Sequence, residues 1–260
     1  MYWIYDEPIW LMGILFTATF IGGSCLTVFT FRAAVNPWFH GSRVENEAIG
    51  LAVTSCFVLL ALLLGLITVA TYQNYSSISG TVDDEAAALG EFCMDAQALP
   101  PPYSGQIVAL AADYMRVTVN DDWPLQQRGV VPQQGTQAIA ALTRALMTFS
   151  PRDDRESDLF KVTLDSMDKI ISARRIRLAN VDLGLPPVLW WTLCLCVLLN
   201  VLMTAMQDLE IHVHYILCGA VAVMLGLVIF LTAELDNPFR GTVSVSPDAI
   251  AQVLQCLPPR

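Results

Sequence analysis

Charged and polar side chains that could act on ions lie mostly near the ends of long uncharged runs in this sequence. Glu45 and Glu47 precede the second run, Asp236 follows the fourth, and Asn200 lies in the middle of the third. Rings of carboxylates at a pore mouth can select cations, whereas rings of guanidinium groups can select anions. Candidate vestibule cations precede the third run: Arg174, Arg175 and Arg177. The glutamates could equally be solvated helix ends, and Asn200 could make an interhelical hydrogen bond instead of lining a pore.

Other kinds of chemistry find little support. The sequence contains no His-Glu-x-x-His, Gly-x-Ser-x-Gly or phosphate-loop pattern. Five of the seven cysteines lie inside uncharged runs, where a thiol behaves as a small apolar group. A net charge of -10 does not suit nucleic acid, which needs a basic patch. We therefore predict no enzyme activity, no metal site, no cofactor and no nucleic-acid partner.

Four uncharged runs decide the class of protein. They cover residues 9–31, 48–72, 183–207 and 213–233, and each is at least 21 residues long. A helix needs about 20 residues to cross the hydrocarbon core of a bilayer, and a helix of a soluble domain seldom stays apolar on all sides for that length. We predict an all-α membrane protein with four transmembrane helices, and the lipid bilayer as its first partner.

The residues between the two pairs of runs predict a helical domain. Apolar residues recur at helical spacing after the second run, which continues past Tyr72 with no proline to stop it: Val82, Ala86, Leu89, Phe92 and Ala96. Another helix is expected to carry an apolar seam that includes Ile171 and Arg174. The predicted domains are 1–72, a first transmembrane pair; 73–182, a helical cytoplasmic domain; 183–234, a second pair; and 235–260, a cytoplasmic turn and tail.

Connectivity and loop charge predict the topology. An even number of spans places both termini and the middle segment on the same side of the membrane. Arginines near the span ends on that side outnumber those of the first short loop, which has Arg32 and Arg43. The positive-inside rule therefore places the middle segment and both termini in the cytoplasm.

The end of the fourth run contains the most informative motif, Glu-Leu-Asp-Asn-Pro-Phe-Arg-Gly at residues 234–241. Pro238 blocks continuation of the helix and Gly241 permits a tight reversal. Asp236 could accept backbone hydrogen bonds in this turn, or it could pair with one of the three arginines that approach the same membrane face.

Several segments together resemble the bestrophin-like domain family of mostly uncharacterised bacterial membrane proteins. They are the helix around Glu85, Asp122-Trp123-Pro124, residues 173–178, Leu185-Pro186-Pro187 with Trp190, and residues 235–241. The resemblance covers nearly the whole chain. It implies an integral protein of the bacterial inner membrane.

A more distant similarity leads to the bestrophins, which are homo-oligomeric anion channels with four spans per subunit. Asn237-Pro238-Phe239 is similar to a bestrophin stretch, but Arg240-Gly241-Thr242 follows here in place of the acidic run that helps to bind calcium. Bestrophins narrow their pore with apolar side chains of the second span. The corresponding candidates share one helix face, which could also face lipid: Leu59, Leu63 and Leu66.

The leading functional prediction is a bestrophin-like homo-oligomer of four or five subunits that conducts ions passively through an axial pore. Family analogy implies anions, whereas the acidic balance of the chain does not suit an anion vestibule, so the ion sign stays open. The alternative is a non-conducting scaffold or sensor whose cytoplasmic helices bind partners. The orientation of Asn200 and of the second-span leucines discriminates between the two.

Overall fold

The computed structural model describes residues 8–35 and 43–257, and these form helices with no strand. In chain order the helices are α1 (Ile9–Val35), α2 (Arg43–Gln97), α3 (Tyr103–Val117), α4 (Trp123–Gln127), α5 (Gln134–Met147), α6 (Asp154–Ala179), α7 (Pro187–Ala205), α8 (Ile211–Asp236) and α9 (Asp248–Cys256). A wider π-helical turn, Thr118–Asp122, joins α3 to α4. The predicted all-α class is confirmed.

Four helices are long and apolar enough to cross a membrane: α1, α2, α7 and α8. The prediction of four spans is confirmed, and the protein is an integral membrane protein. A small core of Leu60, Leu64, Leu193, Leu225 and Ile229 joins three of these helices. Most of the remaining apolar surface of the spans faces outward, as expected for helices whose surroundings are hydrocarbon.

The second span is part of one uninterrupted helix. α2 has 55 residues, which corresponds to a length of about 80 Å. Neither Gly65 nor Gly80 breaks it, and a Cβ added at either glycine would meet open space. The predicted continuation beyond Tyr72 is therefore present, and it extends to Gln97, shortly before the prolines at 100–102.

The chain divides into two compact units. The membrane unit comprises the described residues within Met1–Gln73 and Gly184–Asp236, and the helical unit those within Asn74–Leu183 and Asn237–Arg260. The helical unit has a large apolar core in which Leu89, Phe92, Ala96, Leu142 and Leu146 are completely or almost completely buried. α2 contributes residues to both units.

One sequence expectation for the helical unit differs from the structure. Trp123-Pro124 begins α4, since proline is tolerated in the first turn of a helix, but the predicted seam of α6 is displaced. The buried face of α6 contains Met167, Ile170, Ala173 and Arg177. Ile171, which was placed on the apolar seam, is 40% exposed, because the helix phase differs from the predicted heptad by one residue.

Candidate functional site

Two of the three candidate pore residues of the second span are exposed in the described part of the subunit. Leu59 and Leu66 are 67% and 71% exposed. Leu63, between them, is partly buried. Leu62, which the sequence prediction did not name, is also exposed. A different side of the helix, about 100° around its axis, packs into the bundle, since Leu60 is buried at 1% exposure.

The Asn200 side chain, unlike those of Leu59 and Leu66, is buried inside the membrane unit. Its side chain is 2% exposed in the protomer, and its Nδ2 donates to the Cys196 carbonyl at 3.5 Å. The Thr204 hydroxyl donates to the Asn200 carbonyl at 2.8 Å. Both hydrogen bonds lie within α7, and Asn200 Oδ1 is buried with no hydrogen-bond partner in the described part of the chain.

Carboxylates gather at the beginning of α2. Glu45 and Glu47 are exposed there. Between them, Asn46 Nδ2 donates to the Asp208 carbonyl at 3.2 Å, and the Asp208 backbone N–H donates to Asn46 Oδ1 at 3.0 Å. This two-point contact fixes the loop between α7 and α8 against α2, and it brings a third acidic residue to this end of the membrane unit.

Asp236 connects two helices of the membrane unit. It accepts the backbone N–H of Leu185 at 2.6 Å and the indole N–H of Trp190 at 3.3 Å. Gly184 lies directly beside it, since a Cβ there would come within 3.4 Å of the carboxylate. Asp236 therefore joins the end of α8 to the start of α7. The backbone N–H that it accepts belongs to the residues before α7 rather than to the turn after α8.

The three candidate arginines have three different environments, because successive side chains of a helix point in different directions. Arg175 is exposed. Arg174 is partly buried, and its Nη2 donates to Thr136 Oγ1 at 2.8 Å. Arg177 is completely buried. Of the three, Arg175 is therefore the one that presents its charge to solvent.

A buried ion pair lies at the centre of the helical unit. Arg177 Nε donates to Glu85 Oε2 at 2.6 Å, and Nη2 donates to Glu85 Oε1 at 3.0 Å. The third nitrogen, Nη1, donates to Gln126 Oε1 at 2.8 Å. Tyr114 donates its phenol hydrogen to Glu85 Oε1 at 2.6 Å. The guanidinium carbon also lies 5.3 Å from the ring centroid of Trp123.

The protonation of this cluster follows from its geometry. Burial lowers the pKa of Arg177, but the charge of Glu85 and the hydrogen bonds to it outweigh burial, so the pKa lies above its ordinary value. Burial, and then the charge of Glu85, raise the pKa of Tyr114. Arg177 therefore stays cationic and Tyr114 stays a donor at neutral pH. The bidentate pairing satisfies both charges where water is excluded.

The motif after the fourth span packs against the same cluster. The ring of Phe239 meets that of Trp123 edge-on with centroids 5.8 Å apart, and the Trp123 indole donates to the Val245 carbonyl at 3.3 Å. Gly241 has a φ of +82°, which allows the reversal that the sequence predicted. Arg240 Nη2 donates to the Arg128 carbonyl at 3.2 Å. The segment after α8 is thus held by α4 and the residues that follow α4.

A neighbouring carboxylate holds the first turn of α5. Asp122 Oδ1 accepts the backbone N–H of Gly135 at 3.2 Å, and a Cβ at Gly135 would collide with the carboxylate. Burial raises the pKa of Asp122, although the Gly135 N–H, Arg177 and Arg174 oppose that increase. Asp122 Oδ2 has no hydrogen-bond partner in the described part of the chain. The sequence identified Asp122 only as part of a motif, without this role.

These features define an all-helical integral membrane protein whose second span continues into a helical unit built around a buried ion pair. The model of the Bestrophin-like domain matches residues 19–250. The protein therefore belongs to the bestrophin-like family, and the resemblance predicted from the sequence is confirmed. No curated protein matches the chain.

Solved structures show the same fold. A crystal structure of a bacterial bestrophin homologue from Klebsiella pneumoniae has a TM-score of 0.60 and 12% identity, with 94% of this chain and 99% of that chain covered. A single-substitution variant of that homologue has a TM-score of 0.65 and 11% identity, with coverages of 94% and 96%. A crystal structure of a membrane-protein variant has a TM-score of 0.67 and 12% identity, with coverages of 93% and 95%.

Proposed function

We propose that this protein is a homo-oligomeric ion channel that conducts passively through an axial pore lined by α2. The observation that carries the proposal is the leucine face of the second span, where Leu59 and Leu66 are exposed in the protomer although the helix is packed on a different side. Four spans are too few for one subunit to enclose a pore comfortably. A symmetric ring of four or five subunits would turn this face toward a common axis.

The proposed neck acts by excluding water. A constriction lined by leucines opposes ion passage because hydrated ions cannot enter an apolar gap without losing water, and such a gap can gate by dewetting. The four runs that form the spans contain no Asp, Glu, Lys or Arg. Conduction would then depend on the width and wetting of this neck rather than on a charged filter in the middle of the membrane.

Two observations bear on the sign of the ion in opposite directions. Glu45, Glu47 and Asp208 surround one end of the membrane unit and favour cations. Membership of the bestrophin-like family favours anions by analogy, and exposed Arg175 provides a vestibule cation. We propose that the side chains at the two ends set the sign, with termini and helical unit in the cytoplasm of a bacterial inner membrane.

Flux measurements on reconstituted protein test the proposal. The purified chain would be placed in liposomes, and chloride and potassium fluxes would be measured separately over a range of pH and calcium concentration. We expect flux of one ion to exceed that of protein-free liposomes, and the reversal potential under a salt gradient gives its sign. Absence of both fluxes under all conditions would refute the channel. Native mass spectrometry would count the subunits.

A matched pair of variants tests the neck itself. Leu66→Thr should raise flux about tenfold, which corresponds to removing about 1.4 kcal/mol from the barrier. Leu198→Thr is the control, because Leu198 is also exposed, at 53%, but lies on α7. Equal flux in both variants would contradict a neck at Leu66, even if the protein conducts.

A non-conducting scaffold or sensor is the second candidate, and the burial of Asn200 favours it. Asn200 is 2% exposed in the protomer, and its Nδ2 and its carbonyl make contacts within α7. In this alternative the helical unit would bind cytoplasmic partners. Crosslinking in intact cells of a probe at exposed Arg175 would test it, with a partner adduct expected and no adduct counting against the scaffold.

A further inference from the structure

An apolar groove runs along the outside of the membrane unit between α1 and α8. Its volume is about 540 Å³, and its α1 side is formed by residues that recur every three to four positions from Ile9 to Ile21. Ile14 and Leu227 form exposed walls, at 61% and 50% exposure. Phe230 forms part of the α8 side. The groove lies within the span Ile9–Thr30, so its surroundings are hydrocarbon.

The small residues beside the groove are already used for packing within the subunit. A Cβ at Gly226 would come within 3.2 Å of the Thr17 backbone, and a Cβ at Gly13 would come within 3.4 Å of the Phe230 ring. These close approaches bring α1 and α8 together in antiparallel order. Stripes of small residues often mark contacts between subunits, but this one is explained by a contact between two helices of the same chain.

The lining has few polar groups. Thr17 donates its hydroxyl hydrogen to the Gly13 carbonyl at 2.7 Å, one turn earlier in its own helix, and keeps only the capacity to accept. Trp10 has an indole N–H at the end of the groove, and the remaining side chains of the lining are apolar. A ligand that carries hydrogen-bonding groups would leave most of those groups without partners at this largely apolar surface, which costs free energy. The groove therefore suits a hydrocarbon.

The dimensions of the groove distinguish a hydrocarbon chain from a protein helix. The twelve residue steps from Ile9 to Ile21 correspond to about 18 Å of helix axis. A volume of about 540 Å³ over about 18 Å gives a mean cross-section of about 30 Å². A helix with its side chains is about 10 Å across, so it would rest on the rim of this open groove without filling it. One extended hydrocarbon chain fits inside it.

We propose that this groove binds one acyl chain of a membrane phospholipid in each subunit. Trp10 is 65% exposed at the end of the groove where α1 begins. Indole rings prefer the headgroup level of a bilayer, so Trp10 marks where the chain enters. Bulk lipid contacts every exposed span. A single acyl chain held between two helices should exchange with bulk lipid more slowly than a chain at an open surface. The proposal does not depend on whether the protein conducts ions.

Native mass spectrometry of the full-length protein tests this site. The protein would be extracted in mild detergent with 1-palmitoyl-2-oleoyl-phosphatidylethanolamine and the corresponding phosphatidylglycerol. Ala18→Phe places a ring in the groove, while Thr19→Phe places the same ring on an exposed neighbouring position outside it. We expect wild type and Thr19→Phe to retain one more phospholipid per subunit than Ala18→Phe. Equal retention in all three would overturn the proposal.

A photocrosslink identifies the occupant directly and remains informative if Ala18→Phe does not fold. Replacing Leu227 by p-benzoylphenylalanine places a reactive ketone on the groove wall, in the same phosphatidylethanolamine and phosphatidylglycerol mixture. Illumination should add the mass of one phospholipid to the subunit. A crosslinked pair of subunits without a lipid adduct would show that a second copy of the chain occupies the groove, which would refute the proposal.

Discussion

Removing Arg177 should destabilise the helical unit strongly, because Glu85 would remain buried without its counter-charge. Arg177→Met deletes three charge-assisted hydrogen bonds, at 2.6, 3.0 and 2.8 Å. Among the described residues, Glu85 would keep only the Tyr114 hydroxyl as a side-chain donor. Breaking a buried ion pair by removing one partner costs about 3–5 kcal/mol. Methionine fills much of the volume of the apolar part of the arginine side chain, so the loss of stability reports mainly the effect of the missing charge.

The assay is the thermal midpoint of the full-length protein in detergent, followed by circular dichroism. For a protein of this size 1 kcal/mol shifts the midpoint by roughly 2–4 °C, so Arg177→Met should lower it by on the order of 10 °C. Lys169→Met is the matched control on the same helix. Its ion pair with Glu91 is about half exposed on both sides, and exposed pairs contribute about 1 kcal/mol or less.

A double variant distinguishes the stability lost through an unpaired charge from the stability lost through poorer packing. Glu85→Gln combined with Arg177→Met removes both charges while keeping an acceptor for Tyr114, so the double variant should melt above Arg177→Met alone. Because the folded-state pKa of Arg177 is raised, its stabilisation is complete below the unfolded pKa and is lost only as pH rises through the folded one. Arg177 itself should therefore add no pH dependence to the wild-type midpoint from about pH 6 to 9. A loss no larger than that of Lys169→Met, or a double variant no more stable than Arg177→Met, would refute the reasoning.

Further expectations concern Asp122 and its neighbour. The raised pKa of Asp122 means that its folded carboxyl resists ionisation. Its contribution to stability is therefore highest below the ordinary pKa of 3.8 and falls as pH rises from there through the folded-state pKa. Asp122→Asn should reduce the change of the thermal midpoint with pH over this range. An unchanged pH dependence would contradict the raised pKa of Asp122. Gly135→Ala should lower the midpoint because its Cβ collides with the carboxylate, whereas Gly80→Ala, which meets open space in a helix, should leave it unchanged or raise it by the equivalent of up to about 1 kcal/mol. Equal midpoints for these two alanine variants would show that the contact between Gly135 and Asp122 does not constrain the fold.

The spans and the start of the helical unit could be predicted because their signals are local. Absence of charge over more than 20 residues has one common structural meaning. The residues spaced for a helix after Tyr72 are all buried, from Val82 to Ala96. Both features depend only on the composition and spacing of neighbouring residues, which the sequence contains directly.

The identity of the buried arginine could not be predicted in this way. Three arginines lie within four positions, and a change of one residue in helix phase decides which of them is inside. The heptad interpretation placed Arg174 on the seam, whereas the structure buries Arg177. A signal for the cluster did exist in the four-residue spacing of Tyr114, Asp122 and Gln126, with Thr118 between them. Glu85, the ion-pair partner of Arg177, lies 92 residues from it in the sequence, and only the folded chain brings the two side chains together.

The continuity of α2 has a consequence for how this protein can change during evolution. Leu60, which is buried, and Leu66, which is exposed, belong to one unbroken helix within the membrane unit, so their angular relation is fixed by the number of residues between them. Inserting or deleting a single residue there would rotate one relative to the other by about 100°. Either the packing of Leu60 would be lost or Leu66 would turn away from its present direction. Substitutions can accumulate between these positions, but a change of length disrupts one of the two faces, so the spacing of six residues should be kept among relatives that retain both features.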